Sequence, residues 1–172
     1  MATALLARSL ALVDDWATIA QRLYGLSATL SGLCHRIGLL SSSAGERYLG
    51  DLAGIDGILP ALVLAHADQI QLVTSVVHTT ITVELQACLT GMDACLSRAV
   101  TQRLPIDAQA DVHTLVAMYQ REAVRLRASL AKLVDGRDRQ DWRQMQSVAD
   151  GLPETSVDDR YVDRLRLRLA SS

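Results

Sequence analysis

Leu12, Trp16, Ile19, Leu23, Leu26, Leu30, Leu33, Ile37 and Leu40 follow one another at spacings of 4, 3, 4, 3, 4, 3, 4 and 3. Apolar side chains that return about every 3.5 residues over four heptads predict a long helix packed lengthwise against other helices, in the manner of a coiled coil. Such a seam fixes architecture and no chemistry, because it carries no donor, acceptor or charge that could activate a bond. Between Arg22 and Arg36 the off-seam residues are small and uncharged, among them Gly25, Ala28, Thr29 and Gly32. A helix apolar or small on every side is expected to be an inner one. Gly25 and Gly32 lie seven apart on one face, and each costs about 1 kcal/mol of helix propensity relative to Ala. Close approach of a neighbouring helix would offset that cost; a kink at Gly25 is the alternative.

The remaining segments read as helices too. At 172 residues the chain is expected to be a single domain, 1–172, large enough to bury about two-thirds of its unfolded surface. Core helices are expected over about 3–40, 58–104 and 107–134, with more polar helices over about 137–149 and 156–169. Ser41, Ser42, Ser43 and Gly45 end the first, and Gly45, Gly50, Gly54 and Gly57 mark a connector with about one helical turn. Pro60 suits the first turn of the second helix, and Pro105 stops it. In 77–85 the apolar Val77, Ile81, Val83 and Leu85 alternate with polar residues, a strand-like period. Helix is favoured there, since a lone strand would have no partner. A continuous helix over 58–104 would run ~70 Å against a compact domain of ~40 Å, so it must bend or the domain must be elongated. The expected fold is an all-α, elongated bundle of four to five helices, two of them long.

The third helix carries Val112, Leu115, Tyr119, Ala123, Leu126, Leu130 and Leu133 on one stripe, and Asp135 with Gly136 ends it. Trp142 and Met145 anchor the short helix after it. Ser156, three residues before Asp159, resembles a capping box for the last helix. Trp16, Met92 and Met118 are expected in the core.

Charge divides unevenly. Residues 1–104 carry 6 arginines and 8 acidic residues, whereas 105–172 carry 11 basic and 11 acidic residues on a shorter stretch. The first part is therefore expected to supply core and the second part surface. A net charge of −2 gives no overall electrostatic support for nucleic-acid binding. Cys34, Cys88 and Cys95 are an odd set without a CxxC pair. Cys88 and Cys95 would stand about 10.5 Å apart along one helix, too far for a disulfide, and three buried thiols in a reducing cytoplasm are expected. Residues 69–83, the longest uncharged stretch of the middle region, are too short and too polar to span a bilayer.

No pair of His35, His66, His78 and His113 stands at i, i+3 or i+4, and no Walker loop, GxGxxG, GxSxG or HExxH occurs. Neither catalytic, metal nor cofactor residues are assigned, and the chain is read as a non-enzyme without a cofactor. The candidate interaction surface is Arg160, Arg164, Arg166 and Arg168 on the last helix, suited to an acidic partner or anionic lipid. Its plainer reading is a cationic helix end that complements its own dipole and pairs with Asp159 and Asp163.

The segments LSATLSGLCHRI (26–37), ELQACLTGMDACLSRAV (84–100) and LVAMYQREAVRLRASLAKLV (115–134) resemble, in their order, the helical domain found at the N-termini of many fungal receptor and zinc-finger proteins. That resemblance implies a helical adaptor or regulatory module and no catalytic motif. The expected function is a cytoplasmic protein-interaction or self-association module. Its alternative is a membrane-active bundle of the cell-death type, whose uncharged first helix is released into lipid. Against the latter, Asp14, Asp15 and Arg22 interrupt the first helix.

Overall fold

The structure is a computed structural model that describes residues 2–171. Every regular element in it is helical: α1 (Ala2–Leu40), α2 (Gly45–Leu49), a 3-10 turn (Gly50–Gly54), α3 (Ile58–Thr79), a π turn (Thr80–Glu84), α4 (Leu85–Thr101), α5 (Ile106–Asp138), α6 (Trp142–Gly151) and α7 (Asp159–Ala170). Counting 58–101 as one helix, the described residues hold six helices rather than four to five. The extra one is α2, which turns the predicted single turn of the connector into a helix of five residues. It begins at Gly45, where an added Cβ would overlap the carbonyl oxygen of Leu40, so only glycine lets the chain double back there.

The chain divides into two compact units. The first comprises Met1–Arg22, Thr80–Arg127 and Thr155–Ser172. Its core is built from Leu10, Val13 and Trp16 of α1, Leu85, Met92 and Cys95 of α4, Leu115, Tyr119 and Leu126 of α5, and Val162 and Leu165 of α7. Trp16 meets Tyr119 edge to face, with ring centroids 5.1 Å apart and an interplanar angle of 67°, an arrangement worth about 0.5–1.5 kcal/mol beyond area burial. The second unit comprises Leu23–Thr79 and Ala128–Glu154. Leu23, Leu30 and Ile37 of α1, Ile70 and Val77 of α3, Leu133 of α5, and Met145 and Ala149 of α6 are each 0% exposed at its centre.

All seven residues of the stripe expected on the third helix are buried. That helix runs four residues beyond its expected end, through Asp135 and Gly136 to Asp138, and an added Cβ at Gly136 would meet the Met145 side chain of α6 at 2.8 Å. The α1 seam is only partly as expected. Trp16, Leu23, Leu30, Leu33, Ile37 and Leu40 are buried, but Leu12, Ile19 and Leu26 are half-buried. The buried stripe is Val13, Trp16, Ala20, Leu23, Ser27, Leu30, Cys34 and Ile37. Small residues take every second position because they let neighbouring backbone approach, whereas pattern-reading favours the larger side chain beside them. Nor is α1 an inner helix: Gly25, Ala28 and Thr29 are exposed. Nothing stands within 4 Å of a Cβ built at Gly25, and only the Arg36 side chain does at Gly32, so no helix approaches either glycine. The helix is unbroken at Gly25.

The strand-like stretch is helical, with a local widening. From Thr74 the buried positions run Val77, Ile81, Leu85, Cys88, Met92, Cys95 and Ala99, which places two steps of four in succession at 77–85. A π turn over Thr80–Glu84 absorbs the extra residue and keeps one face inward, and four consecutive residues of this turn, Thr80, Ile81, Thr82 and Val83, are β-branched. The expected capping box is also absent. Asp158 caps α7, accepting from the backbone N–H groups of Arg160 at 3.1 Å and Tyr161 at 3.3 Å.

Candidate functional site

The four arginines of the last helix are all exposed on α7 in the first unit, and three of them, Arg164, Arg166 and Arg168, make contacts within it. Arg166 bridges Asp14 of α1 at 2.5 Å and Asp163 at 3.1 Å. Arg168 grips Asp111 of α5 through both terminal nitrogens, at 2.6 and 3.4 Å, and the Tyr161 hydroxyl donates to the same carboxylate at 3.2 Å. Asp111 is 8% exposed, so this pairing answers the cost of burying its charge. The Arg164 guanidinium lies over the Tyr161 ring, 5.5 Å from its centroid. Arg166 and Arg168 therefore clamp α7 to α1 and α5, and their partners include Asp14 and Asp111, which spacing along α7 could not reveal.

A second polar cluster holds the segment leading into α7. Glu122, 1% exposed, pairs with Arg125 at 2.7 Å. It also accepts from the backbone N–H of Ser156 at 3.0 Å and from the Ser156 hydroxyl at 2.7 Å. Burial pushes the Glu122 carboxyl up, but the hydrogen bonds from Arg125 and Ser156 outweigh it and hold the group below the usual glutamate value. Both carboxylate oxygens of Glu122 are hydrogen-bonded within this network.

The surface that sequence reasoning missed lies in the second unit. Helix α3 opens with the apolar run Ile58, Leu59, Pro60, Ala61, Leu62, Val63, Leu64 and Ala65, in which Ile58, Leu59, Leu62 and Val63 are half-buried and Pro60, Ala61, Leu64 and Ala65 exposed. Leu64 is 64% exposed and Leu72 66%. Tyr48, Leu52 and Ile55 of the preceding connector are each about half exposed. The 3-10 turn that carries Leu52 packs against α2 and α3. The available signal was the run itself, continuous rather than periodic, which reads as core until its surroundings are known.

Farther along α3, Thr74, Ser75, His78, Thr79, Val134 and Arg137 line a groove of about 410 Å³. Ser75 and Thr79 donate their hydroxyls to the carbonyls of Gln71 and Ser75. Thr74 is 1% exposed and its hydroxyl has no hydrogen-bond partner.

No family model, no curated protein and no solved structure matches this chain. Among the described residues no three His, Cys, Asp or Glu side chains are grouped to hold a metal. The 58–101 helix, 44 residues long, contains an 18-residue stretch of mean hydropathy 1.3, 39% of which is buried. By length and composition it is apolar enough to cross a bilayer, unlike residues 69–83 taken alone, because the helix continues past both ends of that stretch. A core helix of a water-soluble protein passes the same test.

Proposed function

We propose that this chain is a helical protein-interaction module whose contact surface is the uncovered start of α3 with the connector before it. The observation that carries the reading is the exposure of Leu64 and Leu72 on α3 and of Tyr48, Leu52 and Ile55 just before it, while Ile58, Leu59, Leu62 and Val63 are half-buried. Covering one such aliphatic side chain contributes about 1.5–3 kcal/mol, so a few of them suffice for a working interface. The module acts in an adaptor or regulatory role in the cytoplasm, without catalysis or cofactor, which also agrees with the resemblance to the fungal N-terminal helical domain. Arg160, Arg164, Arg166 and Arg168 become, on this reading, largely a structural clamp.

Membrane association is the second reading, favoured by the hydropathy of the 58–101 helix and no longer by α1, whose Leu23, Leu30 and Ile37 are fully buried. Affinity capture from the source organism, with the wild-type chain and a Leu64→Ser/Leu72→Ser variant as baits, separates the two. A partner or second copy retained by wild type and lost by a variant of unchanged helical circular dichroism supports the interaction module. Identical captures from both baits, with salt-resistant binding to neutral liposomes by wild type alone, would overturn it in favour of the membrane.

A further inference from the structure

Building on the interaction reading, the charge around the uncovered α3 face selects the kind of partner. Residues 45–72 carry four carboxylates, Glu46, Asp51, Asp56 and Asp68, against one guanidinium, Arg47. All five are exposed. Asp68 lies midway between Leu64 and Leu72 at four-residue spacing, on the same side of α3, and Asp51 and Asp56 flank the exposed Leu52 and Ile55. Three exposed carboxylates thus stand among the exposed aliphatic side chains, one of them between Leu64 and Leu72.

We propose that this surface receives a basic amphipathic helix from another protein, its aliphatic stripe laid along Leu64 and Leu72 and its Lys or Arg residues paired with Asp51, Asp56 and Asp68. A second copy is disfavoured because a two-fold contact sets the same patch against itself and brings the carboxylates of the two copies together. A lipid surface is disfavoured because anionic leaflets repel the same carboxylates. A lengthwise helix suits the shape: residues 58–72 present about 21 Å of helix, matched by a partner segment of ~14 residues.

The test uses the full chain and two labelled synthetic helices of about 16 residues with identical leucine stripes, one with lysine and one with glutamate on the polar face. The lysine peptide is expected to bind at one-to-one stoichiometry and at least about tenfold more tightly than its glutamate twin, the equivalent of three exposed ion pairs. High salt should erase that difference, and so should Asp51→Asn/Asp56→Asn/Asp68→Asn. Leu64→Ser should weaken both peptides. Equal binding of the two peptides, or lysine-peptide binding indifferent to all these substitutions, overturns the proposal. Concentration-dependent self-association abolished by Leu64→Ser, without peptide binding, also overturns it but leaves the interaction module standing. Salt-resistant binding to neutral vesicles that Leu64→Ser abolishes removes both.

Discussion

Ser156 donates its backbone N–H and its hydroxyl to the same oxygen of Glu122, 34 positions earlier in the chain, at 3.0 and 2.7 Å. Glu122 is almost fully buried, so the exposed Ser156 just ahead of α7 is tied to the interior of the first unit by one carboxylate. Removing that carboxylate leaves both Ser156 donors without their shared acceptor. Glu122→Ala is expected to cost about 2–4 kcal/mol in urea unfolding, and Ser156→Ala about 1 kcal/mol. Equal stability of Glu122→Ala and wild type would show that the network contributes nothing.

The same carboxylate makes stability depend on pH in a defined direction. Its folded-state pKa lies below the ordinary value, so its contribution is present above the unfolded value, about 4.3, and is lost as pH falls through the folded value. Thermal midpoints of wild type and Glu122→Gln should converge as pH drops below about 4. Curves that stay parallel through that range would refute the assignment.

Thr74 offers a substitution that should stabilise. Its buried hydroxyl has no partner, and valine matches its shape without the stranded dipole. Thr74→Val is expected to gain about 1 kcal/mol, read as a raised unfolding midpoint. A loss of comparable size would mean that the hydroxyl is hydrogen-bonded in solution.

Three glycines should respond differently to alanine. Gly25 is open on all sides, so Gly25→Ala should stabilise by about 0.5–1 kcal/mol. At Gly91 the new Cβ meets both Leu12 methyl carbons at 3.0 Å, and the half-buried leucine must yield, leaving little net change. At Gly136 it meets Met145 Cγ at 2.8 Å, within a fully buried side chain, and a loss of about 1–3 kcal/mol is expected. Ranking the three variants by chemical denaturation checks the packing of α1, α4 and α5 together.

The three cysteines are free and buried. Burial, with a smaller contribution from Asp150, pushes the Cys34 thiol up to about 12, and burial followed by Asp15 and Glu84 raises Cys88. Since the thiolate is the reactive form, native alkylation at neutral pH should be slow at both. Intact mass should show three additions only after denaturation. Rapid native labelling of Cys34 would contradict its placement.

Much of the helical content was written in local pattern. The α5 stripe, with its apolar residues at steps of three and four, is buried as read, because a single helix face needs only periodicity to define it. Periodicity cannot choose between neighbours on that face. In α1 it selected Ile19 and Leu26, while packing buried Ala20 and Ser27 beside them, since close helix contact favours small side chains. Nor can it see partners distant in sequence. The Arg166–Asp14 and Arg168–Asp111 pairs join residues 152 and 57 positions apart, and only the fold brings them within reach. The 58–65 run shows the converse. Its apolar composition is fixed by sequence, but whether such a run lies in the core or on the surface depends on which helices reach it, and that was decided by tertiary structure.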